Sequence, residues 1–192
     1  FKAGTWKIVP PNLMNAFRTM VFATAGYGRI AREVLKRAAS FKFHLAAYDP
    51  YVDEKEMKEN GVEKLSKDEL FDRADILSLT LPLTGETNHF VNADRLKQMS
   101  SHAILVNTAR GGLIDTRALA DALQQNDIAF AGIDVFEEEP LDKSHPIWRC
   151  KNAILTSHVS WYSEESVPKL QELAAEVAVS ALKGESLNNQ VN

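Results

Sequence analysis

The residues best suited to chemistry stand just after short apolar runs. Gly26-Tyr-Gly28-Arg-Ile-Ala31 closes the run at 21–25 and opens a helix-like stretch at once. Gly26 permits a tight turn, and Gly28 lets the backbone approach a pyrophosphate at the positive end of that helix. Ala31 meets the need for a small residue in helix–strand packing. At the end of the next run comes Asp49, in Tyr48-Asp49-Pro50. A carboxylate there accepts hydrogen bonds from an adenosine ribose and repels the extra phosphate of NADP. Each signal has a plainer reading, because strand–helix turns need glycine anyway and Asp before Pro is a common turn former. Together they favour a bound dinucleotide, NAD.

Further along, Asn107-Thr-Ala-Arg110-Gly-Gly112 follows the run at 103–107. Arg110 offers a planar fork of donors suited to a carboxylate. Two adjacent glycines let something approach the backbone, which a plain surface arginine does not need. Asp134 ends the run at 128–134, and Glu139 follows soon after. Glu137 and Glu138 read as a solvated charge run, to which Glu139 could belong. Among the five histidines, His102 precedes its run and His44 stands near the start of another. His89 and His145 lie in loop-like stretches with no partner that can be named. His158 alone follows a run, in Thr156-Ser-His158-Val-Ser160-Trp161. A lone histidine is more often structural than catalytic. An Arg, a Glu and a His from the ends of runs make a site the better reading. Neither the Cys/His spacing nor the carboxylates suggest a metal site.

The elements that must position these residues alternate. Apolar runs at 21–25, 43–48, 75–81, 103–107 and 128–134, with a weaker one at 152–156, are separated by helix-like stretches near 28–39, 53–60, 66–72, 93–99 and 115–125. That order predicts an α/β fold, a doubly wound parallel sheet covered by helices on both faces. In such sheets ligands gather at the carboxyl ends of the strands. Asp115 and Ser66 are placed to cap helices. Leu170, Leu173, Ala174, Val177, Ala178, Ala181 and Leu182 make one apolar stripe at helical spacing within 163–183. Such a helix packs either on its own sheet or on another part of the protein. The opening residues, 1–17, show no clear period.

The chain has 192 residues, 22 Lys+Arg against 26 Asp+Glu, and a net charge of −4, which argues against a nucleic-acid footprint. Cys150 is the one cysteine and cannot form an internal disulfide, which points to a reducing compartment. No apolar run approaches membrane-spanning length. The expectation is a cytoplasmic domain.

Taken together, the motifs resemble the D-isomer-specific 2-hydroxyacid dehydrogenases. They are Gly26-Tyr-Gly28-Arg-Ile, Tyr48-Asp49-Pro50, Leu105-Val-Asn-Thr-Ala-Arg110-Gly-Gly, Asp134-Val-Phe-Glu-Glu-Glu139-Pro140, and His158 ahead of Trp161-Tyr-Ser-Glu-Glu-Ser. The run after His158 and the ending Leu187-Asn-Asn-Gln-Val-Asn192 look most like the branch of the C-terminal binding proteins, which includes enzymes and NAD-sensing corepressors. The resemblance implies a Rossmann-type NAD-binding domain that interconverts 2-keto and 2-hydroxy acids. Arg110 would hold the substrate's carboxylate, His158 would be the general acid–base, and Glu139 would pair with it. Arg29 and Ile30 would face the pyrophosphate, and Leu81 and Pro82 the adenosine. Thr108, Ala109 and Asp134 would lie near the nicotinamide, with Ser160 toward its carboxamide and Trp161 in the substrate pocket. A homodimer is also implied. By the same match, residues 1–18 would be an arm from a substrate-binding domain, 19–162 the NAD-binding domain, and 163–192 a helix and tail returning to the other domain. Ser157 in place of a proline, Ala31 in place of a third glycine, and the polar Phe22-Ala-Thr-Ala25 depart from the family pattern. An NAD-sensing interaction module and a nucleotide-fold methyltransferase are the rival readings.

Overall fold

A computed structural model describes residues 15–187, so most of the opening arm and the last five residues lie outside the description. The apolar runs become the strands Val21–Ala25 (β1), His44–Tyr48 (β2), Ile76–Leu79 (β4), Ile104–Asn107 (β5), Phe130–Ile133 (β6) and Ala153–Leu155 (β7). A further strand, Glu63–Lys64 (β3), is too short to leave a period in the sequence. All pairs are parallel, in the order β3-β2-β1-β4-β5-β6-β7. The order reverses between β1 and β4, as in doubly wound sheets.

Helices Arg29–Ala39 (α1), Glu54–Glu59 (α2), Lys67–Arg73 (α3), Ala93–Gln98 (α4) and Thr116–Gln125 (α5) make the crossovers, and Ser166–Leu182 (α6) follows the sheet. Alternation along the strands sends side chains to both faces. Ala23, Ala25 and Ala46 join one buried cluster with Leu70, Phe71, Leu77 and Leu105. Phe22, Leu45 and Ala47 pack with Tyr27, Leu35 and Met57 in a second. The polar first strand is accommodated because the buried Thr24 hydroxyl donates to the Gly26 carbonyl at 2.8 Å. A buried hydroxyl so satisfied carries little penalty.

The chain divides into two compact units between Ser157 and His158. The first holds the whole sheet. The second holds α6, none of whose residues is buried; Leu170, Leu173, Val177 and Leu182 of its apolar stripe remain exposed. Among the described residues, no helix is long and apolar enough to cross a membrane.

Candidate active site

The sheet's register places the functional residues. Ala25, Tyr48, Leu79, Asn107, Ile133 and Leu155 stand level across six strands. The next residue of each strand therefore lies on one edge: Gly26, Asp49, Thr80, Thr108, Asp134 and Thr156. Four of these six are residues to which the motifs give a role; Thr156 stands in the His158 motif without one, and Thr80 lies outside the motifs. Thr80 donates to the Ala25 carbonyl at 2.8 Å, and Thr156 donates to the Asp134 carboxylate, which is buried.

At the β1/β4 reversal a cleft of about 560 Å³ opens, with Gly26, Gly28, Asp49, Leu81 and Pro82 in its wall. Gly26 has φ +96°, and a Cβ there would stand 3.0 Å from the Thr80 hydroxyl, so the turn itself demands glycine. Gly28 is different. It has φ −78° and no atom of the described residues within 4 Å of a Cβ, so nothing among them requires glycine there. The requirement fits a group approaching from outside. Gly28 is also the N-cap of α1 and gives that helix no side-chain cap. Asp53, Ser66, Asn92 and Asp115 all cap theirs, Ser66 in a reciprocal box with Glu69. An uncapped first turn with no acidic residue suits an anion. The backbone of Arg29 and Ile30 belongs to that turn, while their side chains line a shallow outer face of α1. Ala31 is fully buried, as the small third position requires.

Asp49 is already oriented: one oxygen accepts from the Tyr27 N–H and the other from the Tyr51 N–H, both at 2.9 Å. Each oxygen keeps a lone pair for a ribose hydroxyl. Burial pushes the neighbouring Tyr48 phenol above its ordinary pKa, and the charge of Asp49, then Tyr51 and Glu86, adds to this. Glu86 lines the same cleft, a second carboxylate that the motifs did not mark, and Lys67 supplies a cation there. These residues fit a dinucleotide with its pyrophosphate at α1 and its ribose at Asp49.

The second part of the edge is the turn after β5. Buried Asn107 folds its side chain over that turn, accepting from the Ala109 N–H at 3.0 Å and donating to the Arg110 carbonyl at 2.9 Å. Thr108 and Arg110 are thereby held exposed, and the Arg110 guanidinium rests on the Ala109 carbonyl at 2.6 Å. The two glycines that follow serve the protein's own chain. A Cβ on Gly111 would come within 1.9 Å of the Phe136 carbonyl, and one on Gly112 within 2.9 Å of the Leu83 side chain. Glu139 is exposed and accepts from the Phe136 N–H at 3.0 Å. The turn of Arg110 and the segment of Glu139 thus meet at Phe136.

Glu137 lies in an exposed run, as its sequence suggests, but both of its oxygens are engaged. Its oxygens take the His89 Nε2 at 2.6 Å and the Thr116 N–H at 2.8 Å. Burial pushes its carboxyl up, but the bonds from Thr116 and His89 outweigh this and hold it below the usual range. His89 has its partner here. Neither residue could be paired from sequence, since 48 positions separate them.

His158 opens the second unit with φ +58°, and its carbonyl accepts from the Trp161 Nε1 at 2.9 Å. Ser160 and Trp161 are exposed in the same unit, and the Trp161 and Tyr162 rings meet edge to face at 5.8 Å.

Residues 1–160 match the family model described as D-isomer specific 2-hydroxyacid dehydrogenase, NAD binding domain. A glyoxylate reductase of Korarchaeum cryptofilum is 37% identical across the whole chain, which covers 58% of that protein. The D-lactate dehydrogenase of Lactobacillus jensenii, solved with NAD+, superposes with TM-score 0.86 at 25% identity, covering 100% of this chain and 61% of that one. An acyclic imino acid reductase solved with NADPH and D-Arg gives TM-score 0.85 at 30% identity, covering 99% and 60%. The chain thus spans about three-fifths of the length of these relatives. With the fold, the cofactor cleft and a matched model in agreement, the chain belongs to the NAD-binding domain family of the D-isomer-specific 2-hydroxyacid dehydrogenases.

Proposed function

We propose that this chain is the cofactor-binding part of an oxidoreductase that interconverts a 2-hydroxy acid and a 2-keto acid, with NAD as the preferred cofactor. The observation that carries the reading is the carboxyl edge of the sheet, where the cleft at Gly28 and Asp49 shares one row of strand ends with the Arg110 turn. NAD supplies or accepts the hydride. Arg110 clamps the substrate's carboxylate beside the carbonyl. His158 donates a proton to the carbonyl oxygen as charge develops there, and Glu139 orients that imidazole. Thr108, Ala109, Asp134 and Ser160 border the nicotinamide, and Trp161 the substrate.

The same proposal takes 1–18 as an arm, 19–162 as the NAD-binding domain and 163–192 as a helix and tail that engage a substrate-binding domain. It also includes a cytoplasmic homodimer. A second reading, an NAD-sensing interaction module of the kind found beside the C-terminal binding proteins, draws support from the exposed apolar side chains of α6. Steady-state oxidation of NADH by the full-length protein with a panel of 2-keto acids separates the two. Turnover that falls about a thousandfold in Arg110→Ala supports the enzyme. Cofactor binding with no turnover of any acid in the panel sinks it.

A further inference from the structure

We propose that His89 and Glu137 are positioning residues, a clamp that fixes the turn carrying Arg110 against the segment carrying Glu139. The proposal rests on the reading of Arg110 as the substrate's carboxylate anchor. Four observations within the first unit lead to it.

First, the clamp grips the turn at two points. The His89 ring meets one Glu137 oxygen at 2.6 Å, while the His89 backbone N–H donates to the Gly112 carbonyl at 2.8 Å. The other Glu137 oxygen accepts from Thr116 at 2.8 Å, where the first turn of α5 begins. Backbone bonds from Val91 to Leu113 and from Asp115 to Val91, each 3.0 Å, complete the stitching between. Second, Glu137 directly follows Phe136, the residue whose carbonyl crowds Gly111 and whose N–H is taken by Glu139. One carboxylate thus stands where both halves of the site touch.

Third, His89 occupies φ +49°, in the left-handed region where a side chain other than glycine is strained. Glycine would fit that backbone more easily, and the imidazole that stands in its place is the group that reaches Glu137. Fourth, the His89–Glu137 contact is half exposed, at 40% and 35% of the side-chain surface, where such polar contacts contribute little to global stability. Its effect is geometric: it sets the distance between Arg110 and Glu139 and limits how far the turn can swing.

The test uses the full-length protein with NADH and glyoxylate as the probe acid, comparing His89→Gly, Glu137→Gln and Arg110→Ala. His89→Gly removes the ring while relieving the strained backbone, so its thermal stability should not fall. Both clamp variants should raise the KM for glyoxylate about tenfold while leaving NADH affinity within about twofold. If both keep KM within about twofold while Arg110→Ala loses about a thousandfold in kcat/KM, the clamp is overturned and Arg110 keeps its role. If Arg110→Ala stays within about tenfold of the unaltered protein, the anchor reading fails and takes the clamp's catalytic meaning with it. Amide exchange on the 192-residue chain gives a readout that needs no substrate. The Leu113 and Ile114 amides should exchange about tenfold faster in both clamp variants, with Tyr27 and Thr80 unchanged. Unaltered exchange at Leu113 and Ile114 would overturn the clamp whatever acid the enzyme uses.

Discussion

The two ends of the sheet use similar residue types to opposite effect. At the amino end, Ser100, His102 and Asp75 form a hydrogen-bonded chain: the Ser100 hydroxyl meets His102 Nδ1 at 2.6 Å, and His102 Nε2 meets the Asp75 carboxylate. By type alone this is a nucleophile, a base and an orienting acid. Yet the second Asp75 oxygen accepts from the Val21 N–H at 2.6 Å, and its backbone bonds Val21 and Ile104. The chain closes on the fold and ties β1, β4 and β5 at their starts. At the carboxyl end, Asp49 also accepts backbone N–H groups, but it does so beside a cleft and an uncapped helix. Strand polarity makes the difference, because only the carboxyl end is followed by helix N-termini and glycine turns.

The comparison can be broken most severely at Gly111. Gly111→Ala should cost about 3 kcal/mol or more, since the new Cβ meets backbone rather than a movable side chain. Chemical denaturation measures it; a loss below about 1 kcal/mol would mean that the Phe136 segment is free to move aside. Next comes the amino end. Asp75→Ala should cost about 1.5–3 kcal/mol, because it leaves the Val21 N–H and His102 without their charged acceptor. NAD affinity should stay as it was, and a parallel drop in affinity would erase the division of labour between the two ends.

Asp49→Ala sharpens the contrast, because the same kind of loss falls on binding. NAD affinity should fall about tenfold and the gap to NADP should narrow, as read by calorimetric titration with both cofactors. NADP bound equally or more tightly by the unaltered chain would refute the Asp49 assignment. The smallest effect concerns pH. The Glu137 carboxyl is held below its ordinary range, so its contribution is fully present at neutral pH and is lost as pH falls through that lowered value. In Glu137→Gln this part of the acid limb should flatten, and an unaltered acid limb would argue against it.

Much of this was legible in the chain. Runs such as 21–25 and 103–107 match β1 and β5 to within a residue, because short apolar strands alternating with amphipathic helices leave a strong pattern. The caps at Ser66 and Asp115 are local chemistry and were read correctly. β3 escaped, having only two residues. The glycines at 111 and 112 were legible as close approaches, but what approaches them was not, since Phe136 and Leu83 come near only in the folded chain. The same holds for His89 and Glu137, and for Ser100, His102 and Asp75. Asn107 could have been found: an Asn closing a strand ahead of a two-residue step to Arg is a candidate Asx turn.

The open first turn of α1 has a thermodynamic consequence. Where a polar side chain would normally complete the helix, the binding proposed for NAD would leave the task to a dissociable molecule. Folding and binding then become linked equilibria, and apparent stability becomes a function of cofactor concentration. At about a hundred times its dissociation constant, a ligand confined to the native state adds about 2.7 kcal/mol. The melting temperature should therefore climb steadily with NAD. A melting temperature indifferent to saturating NAD would mean that the first turn of α1 gains nothing from the dinucleotide.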